Sequence, residues 1–154
     1  MKRILLSLMA AAVVFTSVNA MAATDTRSLS STVTVAGTCS ISSVTNLNFG
    51  TYDPTSATND DDGVGDVAFT CTKGTAYDVY ITGSRSMTDG TDTLNFEMYQ
   101  ESGRSTLWPS TAPGVTGTAA NNSTITKNIY GRIPASQDVQ AGTYNGTVTV
   151  TVAY

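Results

Sequence analysis

The chain has 154 residues and a formal net charge of −4, with no histidine and two cysteines. The acidic balance argues against nucleic acid and anionic membrane surfaces as partners, and the lack of histidine removes every Ser-His or Cys-His nucleophile pair. Threonine, serine, valine, glycine and tyrosine dominate while helix formers are scarce, the residue mix of strands and turns.

Lys2 and Arg3 open the chain, Ile4 to Val18 is almost wholly apolar or small, and Ala20-Met21-Ala22 offers an A-x-A cleavage site. Residues 1–22 therefore read as a signal peptide. A retained anchor would want about 20 apolar residues followed by a basic cluster, and small residues follow instead. Cleavage leaves roughly 132 residues, room for one domain, with six basic against twelve acidic groups and a net charge near −6. The mature protein is expected outside the cytoplasm, passing through the periplasm if the source is Gram-negative.

Next comes an alternating run, Ser28 to Ala36. Leu29, Val33 and Val35 share one parity with Ser31, while Ser30, Thr32 and Thr34 take the other, so the run reads as a strand with one apolar edge. From Val35, its last apolar residue, only Ala36 and Gly37, with Thr38, lead to Cys39, a tether too short to reach most positions across a sandwich at about 3.3 Å per residue. A tight fold-back beside its own first strand stays open on the residues alone.

Cys39 and Ile41 continue the parity of the run. Leu47 and Phe49 form a short apolar pair ended by Gly50. Val67, Phe69 and Cys71 alternate cleanly, as do Tyr77, Val79 and Ile81, then Leu94, Phe96 and Met98. Ile125 to Ile133 is another extended stretch, stopped by Pro134. Tyr144 to Tyr154 is the last, with Val148, Val150, Val152 and Tyr154 on one face and Thr147, Thr149 and Thr151 on the other. Asp53-Pro54, Asn59 to Gly63, Asp89-Gly90 and Pro109 to Asn122 are turn chemistry. Six or seven short strands separated by turns indicate a β-sandwich. Cys39 and Cys71 fall on inward parities, and an even count in an oxidising compartment reads as a disulfide; free or metal-bound thiols are the alternative. Closing that loop would stabilise the fold by about 3 to 4 kcal/mol in the chain-entropy account.

Other features have plain readings beside chemical ones. Asp60-Asp61-Asp62 and Asp66 could hold calcium, yet the EF-hand spacing and terminal glutamate are missing, and a solvated acidic loop accounts for them. Trp108 with Tyr99 and Tyr130 could form a sugar-stacking platform, or serve as core and edge aromatics. Gly63-Val64-Gly65 precedes no helix and is no phosphate loop. The sequons at Asn121, Asn122 and Asn145 carry no weight in a bacterial chain. No catalytic residue, cofactor or metal site is expected.

The ordered set Gly37-Thr38-Cys39-Ser40-Ile41, Leu47-Asn48-Phe49-Gly50-Thr51-Tyr52-Asp53, Phe69-Thr70-Cys71-Thr72-Lys73-Gly74, Ile129-Tyr130-Gly131-Arg132-Ile133-Pro134, Ala141-Gly142-Thr143-Tyr144 and Val148 to Val152 resembles the spore coat protein U domain. That domain is shared with subunits of archaic, Csu-type, chaperone-usher pili, and the likeness covers essentially the whole mature chain. The resemblance implies an immunoglobulin-like sandwich over residues 37–154 that lacks its final strand. It implies a groove flanked by the C-terminal strand carrying Val148, Val150, Val152 and Tyr154. A periplasmic chaperone would fill that groove until a neighbouring subunit's extension, residues 23–36, replaces it at the outer-membrane usher, with Leu29, Ser31, Val33 and Val35 entering successive pockets. The expected function is a structural pilus subunit serving adhesion and biofilm formation, joined head to tail to copies of itself or homologous pilins. The alternatives are a spore-coat or extracellular matrix protein with the same domain, and a secreted carbohydrate-binding module using Trp108.

Overall fold

Nine strands and no helix form among the described residues of the computed structural model, which are residues 22–154. The segment read as a signal peptide lies outside them up to residue 21. Residues Thr34–Tyr154 form one unit, and the described residues before it, 22–33, belong to another.

The long alternations become the long strands. β1 (Cys39–Thr45), β2 (Val64–Cys71), β8 (Thr124–Arg132) and β6 (Glu97–Tyr99) make a four-stranded antiparallel sheet in the order β1-β2-β8-β6. β7 (Val115–Thr118), β3 (Ala76–Thr82) and β9 (Thr149–Ala153) make a second sheet, in the order β7-β3-β9. A small ribbon pairs β4 (Ser86–Thr88) with β5 (Thr93–Asn95). Because the side-chain period is two, Val67, Phe69 and Cys71 from β2 and Tyr77, Val79 and Ile81 from β3 all point inward. They form one buried core with Phe49, Leu94, Phe96, Met98, Trp108, Ile129 and Ile133. The Phe69 and Tyr77 rings meet edge to face across the two sheets, centroids 5.0 Å apart.

Three departures from the alternation have local causes. Tyr144 to Val148 precedes β9 instead of extending it. Asn145 exchanges two 3.0 Å backbone hydrogen bonds with Thr88, and Gly146 lies so close to the Ser86 carbonyl that a Cβ would collide with it. The Leu94-Phe96-Met98 alternation divides between β5 and β6, because the Asn95 amide is taken by the Gln137 side chain and the Phe96 amide by the Arg85 carbonyl. The long Pro109–Asn122 turn region contains β7, whose Gly117 lies under the Tyr77 ring. The run Ser28 to Ala36 forms no strand.

Candidate assembly groove

β1 is where the fold stops being closed. Its register puts Cys39 opposite Cys71, Ile41 opposite Phe69 and Val44 opposite Val67, so all three side chains share the inner face of the sheet. A bulge between Ile41 and Ser43 makes this possible: without the extra residue, Ser43 would point inward and Val44 outward. The β2 partners are buried, yet Ile41 is 40% and Val44 48% exposed. Inner-facing aliphatics are left in water because no strand among the described residues packs across them.

β1 and β9 are the end strands of their sheets, and their Cα atoms come within 8 Å of each other. Among the described residues each has one strand neighbour, so one row of backbone N–H and C=O groups on each has no strand partner there. Between them lies a cavity of about 380 Å³. Its walls come from Val44, Thr45 and Leu47 on one side and Val148 and Val150 on the other, and its floor is core: Ile81, Phe96, Met98 and Ile129. It runs on, through shared Leu47, Phe49, Met87 and Tyr144, into a second hollow of about 710 Å³ between the 47–54 and 139–145 segments.

The far end of the groove is fixed by glycine. Phe49 lies against Gly63 and Gly131, each of which would drive a Cβ into the ring, and the Gly131 amide donates to the Gly63 carbonyl at 2.6 Å. Tyr52 extends this anchor, its hydroxyl donating to the Pro134 carbonyl at 2.9 Å. On the other wall the Tyr144 hydroxyl donates to the Gln140 carbonyl at 3.0 Å. Partial burial, with Asp89 and Asp92 nearby, raises that phenol above its usual value, so it stays a neutral donor.

The pole from which the extension leaves is equally defined. Cys39 and Cys71 form a disulfide, joining the first residue pair of the β1–β2 ladder. Just before it the Thr72 amide donates to the Thr38 carbonyl at 2.9 Å, the Thr38 amide donates to Thr72 Oγ1 at 3.3 Å, and Thr72 Oγ1 reaches the Ala36 carbonyl at 3.3 Å. Val35, Gly37 and Tyr154 line one shallow hollow there, so β1 begins where β9 ends. Upstream, Leu29, Val33 and Val35 are 96%, 86% and 74% exposed.

The residues singled out in sequence divide accordingly. Val148 and Val150 line the groove, and Val152 packs on the core; Tyr154 follows the strand, is exposed and belongs to the opposite pole. Ile41 and the floor residues were read as strand positions and not as part of a groove, and Val44 and Met87 were not singled out. Val44 breaks the parity of Cys39 and Ile41, and a bulge was the signal needed to place it. The sugar-platform reading loses its centre: Trp108 is a core residue, and its indole N–H donates to the Asn128 carbonyl at 3.1 Å. The acidic loop is held from within. Arg132 grips Asp61 through two hydrogen bonds of 2.6 and 2.8 Å, which, with the Arg104 charge, hold the Asp61 carboxyl below the usual carboxylate range.

The Spore Coat Protein U domain model matches residues 25–151. Protein U of Myxococcus xanthus is 30% identical over 158 residues, with 88% of each chain covered. Among solved structures, the fold is similar to that of a chain in the CsuC–CsuE chaperone–tip adhesion subunit pre-assembly complex from the archaic chaperone-usher Csu pili of Acinetobacter baumannii. That likeness has a TM-score of 0.52 at 20% identity, and covers 79% of this chain and 40% of that one. The all-β sandwich expected from the residues, immunoglobulin-like as the family resemblance implied, is thus the fold observed. With the match running from the exposed extension into β9, this chain belongs to the Spore Coat Protein U domain family.

Proposed function

We propose that this protein is a structural subunit of a surface pilus, assembled by a periplasmic chaperone and an outer-membrane usher through donor-strand exchange. One observation carries the reading: the chain has both an uncovered inner face at Ile41 and Val44 and an exposed alternating run with the same apolar period. Strand addition would satisfy the free edges of β1 and β9 while Leu29, Ser31, Val33 and Val35 cover the floor.

Polarity favours donation to a neighbour over self-insertion. The extension leaves at the pole where β9 ends, while the groove cavity lies toward Val44 and Val148. To fill its own groove the run would have to reverse within Ala36 to Thr38, the residues held by Thr72. A donated strand antiparallel to β9 instead emerges at the Val148 pole, leading directly to the next domain. That contact is heterologous and does not close, so it propagates a fibre. Adhesion and biofilm formation would follow from the fibre as a surface organelle.

A coat or matrix role for the same domain is the second reading, favoured by the 30% identity to Protein U. Chaperone and usher genes beside this one support the pilus; their absence in a sporulating source supports the coat. The direct test deletes residues 24–36 and follows assembly by electron microscopy. The expected product is a chaperone-held subunit that cannot extend a fibre. Fibres of wild-type length would contradict donor exchange through this run.

A further inference from the structure

We propose that the Cys39–Cys71 disulfide is a mechanical clamp that carries fibre tension past β1, the groove wall, and into the central strand β2. The inference rests on the donor-strand reading. In such a fibre each subunit is pulled through its own extension, so force enters at Ala36 to Thr38. The first element that force meets is β1, an end strand with one neighbour and a bulge in its ladder. Tension directed along β1 and away from it would drag that strand past β2. Ile41 and Val44 would then leave the groove, loosening the grip on the neighbour held there.

The bond stands at the one place that prevents this. Cys39 is the first residue of β1 and Cys71 the last of β2, directly opposite in register, with Cα atoms 4.1 Å apart. β2 lies between β1 and β8, paired to β8 from Val64 to Thr70, and Cys71 is buried. Force reaching Cys39 crosses the sulfur bridge to a strand anchored on both sides, and β1 downstream of Cys39 is relieved of it. The Thr72 hydrogen bonds to Ala36 and Thr38 hold the incoming chain in line with the same strand end. Pull on one neighbour is thereby uncoupled from the grip on the other.

The test is single-molecule force spectroscopy on assembled fibres, oxidised and after thiol reduction, with reduction verified by thiol alkylation and mass measurement. The C39S/C71S double variant supplies a second sample where it folds; reduction after assembly makes the test independent of folding. In reduced fibres the expected rupture force falls at least twofold. β1, no longer tied at Cys39, also slides past β2 before the joint opens, adding travel before rupture that the oxidised fibre lacks. Equal rupture force with no added travel would overturn the clamp, and so would dissolution of reduced fibres at rest, which makes the bond a static stabiliser only. Failure of the underlying reading is separately visible: oxidised subunits lacking residues 24–36 would then still form fibres.

Discussion

Val44 stands directly opposite Val67 on the β1–β2 ladder, and Val67 is fully buried while Val44 is 48% exposed. Two like residues sharing one face of one sheet should be covered alike. The difference measures how much cover is missing, because Val67 has the second sheet above it and Val44 has the groove. Covering a half-exposed valine and isoleucine, with main-chain pairing on both sides, is the physical gain offered to an incoming strand.

Replacing Val44 with aspartate separates folding from assembly. Its exposure in the isolated subunit keeps the folding cost below about 1 kcal/mol, while the joint would bury an unpaired charge against an apolar floor. The expected outcome is a subunit with near wild-type thermal unfolding that forms no fibre in electron micrographs. Phe69→Ala, by contrast, empties a fully buried site and is expected to cost about 3 to 5 kcal/mol in denaturant unfolding.

Val33→Asp and Val35→Asp probe the same joint from the donor side. Both side chains are exposed, so subunit stability should move by no more than about 0.5 kcal/mol. Assembly should fail, and Thr32→Asp, of opposite parity, should be milder because it faces away from the floor. Fibre yield in the three variants, measured by sedimentation, checks the order.

Trp108 distinguishes a structural subunit from a sugar-binding module. The indole is 2% exposed and hydrogen-bonded to the Asn128 carbonyl. Trp108→Ala is expected to destabilise the domain by about 3 to 5 kcal/mol. A sugar platform would instead lose glycan binding with stability unchanged, which calorimetric unfolding and a glycan array would report together.

Asp61 gives the fold an acid limit. Its carboxyl is held below the usual carboxylate range, chiefly by the hydrogen bonds from Arg132. A depressed folded-state value contributes stability that is present above the ordinary carboxylate value and is lost as pH falls through the folded one. Asp61→Asn should therefore lower stability by about 1 kcal/mol or less from pH 8 to 5. The difference from wild type should shrink below about pH 4. Urea unfolding of both proteins across that range measures it.

Much of the sandwich was legible because period-two alternation survives wherever a strand has one buried face, as at Val67 to Cys71 and Tyr77 to Ile81. The disulfide was legible from compartment and parity, and it forms. What was not legible depended on backbone events that leave no period. The bulge after Ile41 hid Val44, the Thr88–Asn145 bridge removed Tyr144 to Val148 from the last strand, and the sheet change at Asn95 cut one alternation into two. Each is decided by a partner far away in sequence, as with Gln137 on the Asn95 amide. The groove floor was hidden likewise, since Met98 and Ile129 read as ordinary core until the cavity above them is seen.

Amide hydrogen exchange, compared between monomeric subunit and assembled fibre, tests the central claim most directly. In the monomer, residues 28–36 should exchange at the rate of unpaired chain, since they form no strand. In the fibre, successive amides of that run, pairing in turn with β1 and with β9, and the free edges of those two strands should become protected together. A run that still exchanges freely in fibres, or protection there without protection along β1 and β9, would contradict donation of this strand into that groove.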